Sequence, residues 1–452
     1  MMPIEHIKSF ILILLITSSL ILTFALWSDQ PNYQMQTEQE DLIDAEFDGG
    51  VKLSRSEVIK PVEMIRHNEQ LETPVGLKSD ERMTRFNEAL KNLSLYNFSR
   101  ITMNEIWYQE EPNRLEVVFQ TALPSGVLMD LFNVDAETYV PSGDFNRIVF
   151  LEGHDLYQIL FVNDGDDEVI VASAQNFSQN VELFTQIFNA EEEPYRYLTF
   201  EGTRGALIYL PETLTKQTKL FAYTELSQDD FINLLFSKPS IVRSAYTYGG
   251  DTNYIDGTRE MIVDGRGIEF TNPTNESLDQ LVQPSPNQLF DKVQNFINTH
   301  LGFTFKEPFG YQLSGINQTA TSNEVTYTLT YQDTPIFYDR DLTEIMVRWH
   351  NDSVYQYYHP LIMMLAQRGI GQETSSVPSA EAVIEILNGP NYQGTAIYDV
   401  VLGYRLTEQS DSQGQVYALT PTWYVKGVYG YSPLVLPLEE AKGGMAHAMG
   451  SN

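Results

Sequence analysis

The sequence predicts an α+β protein in which one transmembrane helix precedes three folded domains of helices and antiparallel sheets. Three observations support this fold class. A single long uncharged apolar run lies at residues 10–27. Beyond it, segments with apolar residues at helical spacing alternate with shorter segments of strand-like alternation. Acidic or proline-rich breaks at 191–194 and 284–286 divide the remainder into three parts.

The apolar run, FILILLITSSLILTFALW, holds eighteen residues without a charge. As a helix it would be ~27 Å long, close to the ~30 Å hydrocarbon core of a bilayer. Lys8 precedes it, and the next basic residue is Lys52. Because positive charge favours the cytoplasmic side, we predict a cytoplasmic tail at 1–7, a transmembrane helix at 8–27 and an extracytoplasmic remainder at the cell membrane.

A cleaved signal peptide and a buried helix of a soluble protein are the alternatives to this anchor. The apolar region of a signal peptide is usually roughly 7–15 residues long and ends at a small-x-small site. This run is longer, and TFA at 23–25 matches such a site poorly. A buried helix would normally carry more polar residues than the few Ser and Thr found here, so a signal anchor is favoured.

The composition excludes several classes of protein. The chain has 61 acidic and 28 basic residues, a formal charge of -33, and such a surface repels nucleic acid. The chain has no Cys, so it depends on neither disulfides nor a thiol nucleophile. A hydrophobic content of 42% is typical of a folded chain. The acidic surface is best explained as an adaptation for solubility.

The folded part begins after an acidic linker at 28–50 and its first domain spans 51–192. This N-terminal α+β domain is predicted to contain strands at 58–66, 98–106, 115–122, 147–152, 156–162 and 169–174, with helices from 79 to about 93, at 124–132 and at 176–190. Ser79 is a candidate helix cap, and Met83, Phe86 and Leu90 recur at helical spacing after it.

A central α+β domain at 193–283 and a C-terminal α+β domain at 284–441 follow, with a tail at 442–452. The central domain is predicted to have strands at 196–200, 206–210 and 218–223, a helix at 227–236, and strands at 241–248, 259–263 and 267–270. The C-terminal domain is predicted to have helices at 287–301 and 379–387 and strands at 324–331, 397–406, 416–419 and 422–428. A helix followed by a hairpin thus appears near 227–270, 287–331 and 379–428, which suggests a repeated unit.

The sequence contains none of the common catalytic motifs. His154 with Asp155 and His350 with Asp352 are the only His–Asp pairs that suggest a site, and such pairs are more often surface or capping pairs. We therefore predict no enzyme activity, no catalytic residue, no cofactor and no metal site.

Two further stretches have a functional and a structural interpretation. A cluster of aromatic residues could line a sugar-binding groove, although cross-strand packing is the commoner explanation; its members are Trp349, Tyr355, Tyr357, Tyr358 and His359. The glycine-rich stretch YTYGGDTNYIDGTREM at 246–261 could be a ligand loop, but Asp-Gly hairpin turns explain it more simply.

Several segments, in this order, resemble those of the YycH family, membrane-anchored accessory proteins of the WalK–WalR (YycG–YycF) two-component system of low-GC Gram-positive bacteria. They are IKSFILILLITSSLILTFALW at 7–27, SEVIKP at 56–61, NYIDGTREMIV at 253–263, FTNP at 270–273, SAEAVIEIL at 379–387, LGYRL at 402–406 and ALTPTWYV at 418–425. The last three also resemble the PepSY-like module that this family shares with YycI.

The resemblance implies an extracytoplasmic protein of three α+β domains with PepSY-like helix-plus-sheet units. It implies two partners, the sensor histidine kinase WalK and a YycI-like protein, and a non-enzymatic role that modulates, and in our reading restrains, a kinase controlling cell-wall metabolism. It carries no catalytic residues over to this chain. A membrane-anchored envelope enzyme or a cell-wall glycan-binding protein is the alternative.

Contacts with a kinase are predicted within the membrane. Helices in lipid associate through small and hydroxyl-bearing residues, and Ser19 and Thr23 lie four residues apart on one helical face. Both hydroxyls could instead bond to carbonyls of their own helix, an equally open interpretation. Ser19 and Thr23 are our candidate partner-binding residues.

Overall fold

The structure, a computed structural model, describes residues 50–436 with gaps at 78–79, 103–106, 153–157, 165, 190–194, 215, 248–249, 274–282, 320–321, 338–341, 351–352, 371–376 and 412–413. The predicted cytoplasmic tail, transmembrane helix, nearly all of the linker and the C-terminal tail lie outside these residues. Within the described part, no helix is both long and apolar enough to cross a bilayer.

The described residues form a mixed α/β structure that is rich in antiparallel sheet. Its helices are α1 (Arg55–Val58), α2 (Asp80–Lys91), α3 (Leu128–Leu131), α4 (Phe177–Asn189), α5 (Gln228–Leu235), α6 (Pro286–Thr299) and α7 (Ala380–Leu387). Its strands are β1 (Gly50–Val51), β2 (Glu63–His67), β3 (Val75–Gly76), β4 (Ser94–Thr102), β5 (Arg114–Pro124), β6 (Asn133–Val134), β7 (Asp144–Leu151), β8 (Ile159–Val162), β9 (Glu168–Ala174), β10 (Tyr195–Glu201), β11 (Leu207–Pro211), β12 (Lys219–Glu225), β13 (Arg243–Tyr246), β14 (Thr252–Ile255), β15 (Glu260–Val263), β16 (Gly267–Thr271), β17 (Phe303–Thr304), β18 (Phe309–Thr319), β19 (Ser322–Tyr331), β20 (Thr334–Phe337), β21 (Glu344–His350), β22 (Ser353–Pro360), β23 (Ile362–Ile370), β24 (Asp399–Asp411), β25 (Gly414–Gly427) and β26 (Gly430–Pro433).

The smaller of two large sheets has the strand order β11-β10-β3-β2-β5-β7-β8-β9-β4-β6. Its pairs are antiparallel except for the parallel pair of β4 and β6. Helix α4 turns its apolar stripe inward because Val181, Phe184 and Phe188 recur at spacings of three and four. Phe184 meets Phe86 of α2 and Phe150 of β7, with ring centroids 4.7 and 5.4 Å away. Both helices are thereby packed on this sheet.

The larger sheet has the order β13-β14-β15-β16-β22-β21-β19-β20-β24-β25-β12-β23, with β18 paired to β19 and β26 to β25. Its strands come from both sides of the predicted boundary at 283/284, and the smaller sheet takes β10 and β11 from the predicted central domain. The division into three domains and the likeness to a PepSY module stay predictions. The pair of β20 and β24 is parallel.

The two sheets share a hydrophobic core beneath α7. Ile208 and Leu210 of β11 belong to the smaller sheet, while Leu402 of β24 and Trp423 of β25 belong to the larger one. All four side chains are buried together with Val383 of α7. This core fixes the β11 edge of one sheet against β24 and β25 of the other.

The start of the described chain is attached to β17, in a separate two-stranded sheet, and to helix α6. Strand β1 pairs with β17, and Gly302, with φ +72°, lets the Val51 carbonyl approach so closely that a Cβ there would lie 2.6 Å from its oxygen. The Leu53 carbonyl accepts hydrogen bonds from Gln294 and Asn298 of α6 at 2.7 and 2.8 Å. Residues that follow the predicted linker are therefore held on α6.

A buried network of charges ties four strands of the smaller sheet together. Glu116 of β5 accepts from Arg147 of β7 at 2.5 Å and from Arg114 at 2.7 Å, and all three side chains are almost completely buried. Arg147 also donates to the Leu207 carbonyl of β11 at 2.9 Å, although β10, β3, β2 and β5 stand between β11 and β7 in the sheet. The sheet is therefore curled, and its β11 edge returns towards β7.

Protonation in this network follows from burial and charge. Burial opposes ionisation of Glu116, but Arg147, His67 and Arg114 outweigh it and hold its pKa at about 2. For His67 of β2, burial dominates over the attraction of Glu116 and lowers its pKa to about 4. Its Nε2 lies 2.9 Å from the Tyr209 hydroxyl of β11. Neutral His67 thus completes a network in which charge is carried by the arginines and carboxylates.

Most predicted elements are confirmed. The inward face of the strand predicted at 324–331 is confirmed, since Val325, Tyr327, Leu329 and Tyr331 are all buried. The order of helix then hairpin is also confirmed, with α5 before β13–β16, α6 before β18 and β19, and α7 before β24 and β25. The described residues therefore contain both helices and strands, as the fold class predicted from periodicity requires.

Two predictions of elements were wrong. The strand predicted at 58–66 begins only at Glu63, because a capping box of Ser54 and Glu57 starts helix α1 and places Val58 in it. The strands predicted at 416–419 and 422–428 are one strand, β25. Pro421 lies between the stretches of β25 that pair with β12 and with β26, so its missing N–H interrupts neither pairing. Strands β14 and β20–β23 were not predicted.

Replacing Arg147 with Met should destabilise the fold by about 3–5 kcal/mol, because it leaves Glu116 and Asp164 short of a partner in a buried setting. The matched control is Arg100→Met, which breaks the exposed pair with Glu168 and should cost less than about 1 kcal/mol. Urea unfolding of the full chain in detergent, followed by fluorescence, measures both. Equal effects of the two substitutions would show that the network does not hold the sheet.

Candidate ligand-binding cleft

A cavity of about 340 Å³ opens between the two large sheets. Residues of β2, β5, β7 and β11 line one side, and β20, β24 and β25 line the other, together with the loop that carries Lys216. The cavity volume lies within the range of roughly 300–1,000 Å³ that small-molecule sites occupy. The curl of the smaller sheet and the core beneath α7 together fix its walls.

Glu63, at the start of β2, is an acid in the cleft whose pKa is strongly raised. The Tyr197 hydroxyl of β10 donates to its carboxylate. Burial raises the pKa of Glu63 to about 8, although this hydrogen bond and the charge of Lys216 act in the opposite direction, and Asp399 raises it further. Glu63 is therefore largely protonated at neutral pH, and it lies near both Lys216 and Asp399.

Lys216 comes from the loop between β11 and β12 and reaches the larger sheet. Its ammonium donates to the Thr334 hydroxyl and lies 5.4 Å from the centroid of the Tyr404 ring. Burial lowers its pKa to about 8, and Glu63 offsets part of this effect. Lys216 and Glu63 are thus two neighbouring groups with shifted pKa values, one from a loop and one from a strand far away in sequence.

The opposite wall of the cleft carries Asp399 and Lys426, which face each other across β24 and β25. Asp399 accepts from the Tyr431 hydroxyl at 2.5 Å and from the Val400 N–H at 2.8 Å. Lys426 donates to the Gln120 carbonyl at 3.3 Å and lies 5.3 Å from the centroid of the Tyr431 ring. Both charged groups are held in place by Tyr431.

The Gln120 side chain supplies an acceptor that the described residues do not satisfy. Its Oε1 atom is buried, lines the cleft region and has no hydrogen-bond partner among the described residues. A buried acceptor without a donor is costly, and in native proteins such atoms often lie where a water or a ligand binds.

The local charge of the cleft differs from that of the chain as a whole. Of the four acids that line it, Asp164 pairs with Arg147 and Asp333 pairs with Lys60 at 2.6 Å. Glu63 is protonated near neutral pH, so Asp399 is the carboxylate that remains to balance Lys216 and Lys426. In a chain with a formal charge of -33, this is a site that attracts an anionic group.

The candidate residues named from the sequence that the structure describes do not line this cleft. Ser19, Thr23 and the pair His154–Asp155 lie outside the described residues, as does Asp352. His350 stacks on Tyr355, with centroids 4.3 Å apart and ring planes within 3°. Among the residues that the structure describes, no group of three or more His, Asp or Glu side chains is placed to hold a metal ion.

The aromatic cluster is explained by packing within the larger sheet. Tyr357 and His359 are completely buried, and Tyr357 lies opposite Val347 across β22 and β21. Burial lowers the pKa of His359 to about 4, its Nδ1 lies 2.6 Å from the Pro360 carbonyl oxygen, and its Nε2 lies 3.4 Å from the Thr304 hydroxyl. These residues form part of the core.

The glycine-rich stretch at 246–261 forms hairpins, as the simpler interpretation predicted. Strands β13, β14 and β15 pair in succession across it. In the second turn the Asp256 carboxylate accepts from the N–H groups of Thr258 and Arg259 at 3.0 and 2.8 Å. Gly257, with φ +103°, occupies the left-handed position of this turn.

Sequence reasoning missed the cleft because its residues carry no motif and span positions 62 to 426. One signal for the network beneath it was present. Arg114 and Glu116 stand two apart in an apolar strand, and Arg147 stands alone in another. Charged residues two positions apart in a strand face the same side of the sheet. If that side is buried, each charged side chain needs a partner of opposite charge.

Two family models match most of the chain. The model described as "YycH protein, N-terminal domain" matches residues 5–186, and "YycH protein, C-terminal domain" matches residues 207–434. The chain belongs to the YycH family. The cleft lies where the parts matched by these two family domains meet.

Relatives support the same family. The chain is 20% identical over 446 residues to the "Two-component system WalR/WalK regulatory protein YycH" of Bacillus subtilis (strain 168), covering 93% of this chain and 94% of that protein. The structure is also similar to the crystal structure of YycH from Bacillus subtilis, with a TM-score of 0.66 and 17% identity, over 86% of this chain and 98% of that one. At this identity the structural likeness concerns the fold.

Replacing Glu63 with Gln should stabilise the protein at pH 7 and leave its stability at pH 4 nearly unchanged. The folded state keeps a proton that the unfolded carboxyl loses as pH rises from about 4.5 to about 8, so Glu63 lowers stability progressively across that window. Gln has the same shape and cannot ionise, and the gain at pH 7 should be roughly 3 kcal/mol.

Urea unfolding of the full chain at both pH values measures this difference. Glu57→Gln is the control, because hydrogen bonds from Ser54 lower the pKa of Glu57 and its substitution should give no gain at pH 7. A Glu63→Gln variant that is less stable than the unmodified chain at pH 7 would show that Glu63 is ionised in the folded state.

Proposed function

We propose that this chain is a non-enzymatic, membrane-anchored regulator of the sensor histidine kinase in a WalK/WalR-type two-component system. The observation that carries the proposal is the similarity to the Bacillus subtilis regulatory protein, which extends over 93% of this chain and 94% of that protein. Similarity along both proteins supports a shared role more strongly than similarity within one module would.

The regulator acts from the outer face of the membrane. The transmembrane helix at 8–27 anchors it, the tail at 1–7 lies in the cytoplasm, and the residues from 28 onward are extracytoplasmic. Gly50 and Val51 pair with β17, and Leu53 is bonded to α6. An orientation imposed on the anchor or on the linker would therefore act on α6 and on the sheet beneath it.

Regulation of this kind requires different affinities for two states of the kinase. A partner that binds both states equally shifts nothing, so the chain restrains the kinase by binding its less active state more tightly. A YycI-like protein is the second partner, and the regulated output is cell-wall metabolism. The anchor supplies contacts within the bilayer, where Ser19 and Thr23 face the helices of the kinase.

The full chain should associate with a WalK-type kinase in a membrane two-hybrid assay, and replacing both Ser19 and Thr23 with Leu should weaken that association. The reason is that two bulky apolar side chains remove the small hydroxyl-bearing face on which helices pack in lipid. Leu12 and Leu26 replaced together with Ile form the matched control and should bind as the unmodified chain does. A reporter fused after residue 50 must remain exported in every variant.

Different failures of this experiment have different meanings. If the unmodified, correctly exported chain does not associate with the kinase, the regulator proposal is wrong. If an unrelated transmembrane helix replaces residues 8–27 without changing association or kinase output, the contact lies in the folded part and the roles of Ser19 and Thr23 are wrong.

A further inference from the structure

We infer that the cleft between the two sheets is a binding site for an amino acid or a short peptide with a free carboxylate. The carboxylate accepts hydrogen bonds from the ammonium groups of Lys216 and Lys426. The N–H groups of the ligand donate to the side chains of Gln120 and Asp399. This inference goes beyond the proposed regulation of a kinase and does not rest on it.

The two lysines provide the anion-binding part of the site. Each ammonium carries three donors, and within the described chain each makes one hydrogen bond, Lys216 to Thr334 and Lys426 to the Gln120 carbonyl. Each also lies over a tyrosine ring, which holds it in place without using a donor. Hydrogen bonds between an ammonium and a carboxylate are among the stronger polar contacts, and both lysines have donors left for one.

Gln120 and Asp399 provide the complementary acceptors. The buried Oε1 of Gln120 has no partner among the described residues, so a ligand N–H would satisfy it. Asp399 accepts one hydrogen bond on each oxygen and retains lone pairs for another donor. The backbone of a peptide supplies a carboxylate and N–H donors within the same small molecule.

Size and charge favour this ligand over the alternatives. A cavity of about 340 Å³ suits a molecule of one to three residues and leaves little room for a longer chain. Asp399 would repel the second negative charge of a phosphate, whereas it attracts the ammonium or N–H group of a peptide. A neutral sugar would add no negative charge to that of Asp399, which balances only one of the two lysines.

The site lies where a bound molecule would affect the arrangement of the sheets. Gln120 belongs to β5 of the smaller sheet, while Asp399 and Lys426 belong to β24 and β25 of the larger one. A ligand held by both sheets makes all of its contacts only when the cleft has its present width. It therefore binds this arrangement of the sheets more tightly than any other, and binding shifts the protein towards it.

Calorimetric titration of the full chain in detergent micelles with the dipeptide dialanine tests the inference. Dialanine should bind, and its C-terminal amide should bind at least about tenfold more weakly because the charge on which the lysines act is gone. Lys216→Met should weaken dialanine binding by about the same factor, and Gln120→Met should weaken it by a smaller one.

Lys219→Met is the matched control. Lys219 donates to the Tyr331 hydroxyl at 2.9 Å and lies over that ring, much as Lys216 donates to Thr334 and lies over Tyr404, but it does not line the cleft. This variant should bind dialanine as the unmodified chain does. Thermal unfolding of each variant shows whether it is folded. If Lys216→Met does not fold, Gln120→Met still tests the site.

Three results would overturn the inference. They are no binding of dialanine at about 10 mM, equal binding of dialanine and its amide, and inorganic phosphate binding more tightly than dialanine. Because the kinase is absent from this titration, failure here leaves the proposed regulation standing. Loss of kinase association would likewise leave a positive titration intact.

Discussion

The buried carboxylate of Glu116 between Arg114 and Arg147 is the constraint on which the rest of this structure depends. Two arginines buried in a sheet are tolerated only with matched acceptors, and Glu116, Asp164 and backbone carbonyls provide them. One of those carbonyls belongs to β11, so satisfying Arg147 requires the sheet to curl. The curl brings β11 to the position where it shares a core with α7 and the larger sheet, and the cleft is the space that this arrangement leaves.

The cleft and the attachment of Leu53 to α6 give the proposed regulator two places at which its conformation can be biased. Contacts at the cleft act between the sheets, through Gln120 on one side and Lys426 on the other. Contacts at α6 act on the residues that follow the linker, through Gln294, which bonds both the Leu53 carbonyl and the Tyr327 hydroxyl. Both places consist of polar contacts within a closely packed structure. Such a structure changes between discrete conformations and does not deform continuously when a contact shifts slightly.

Local sequence predicted the elements well because their signals are local. Helices such as α6, with its capping box of Ser285 and Gln288, and strands such as β19, with alternating apolar residues, were predicted from windows of about ten residues. The pairing of β16 with β22 and the curl of the smaller sheet depend on contacts across long stretches of chain, which no single window contains. Glu63, Lys216 and Asp399 were missed for the same reason. Asp399 and Lys426 were the nearest to being predictable, since they face each other within one hairpin.

The most direct test of the account is the phosphorylation of the response regulator in cells that have or lack this chain. If the chain restrains its kinase, deleting it should raise the phosphorylated fraction of the response regulator, measured on phosphate-affinity gels, and restoring the full chain should reverse the rise. An unchanged phosphorylated fraction after deletion, in cells whose kinase still responds to its stimulus, would contradict the proposed regulation.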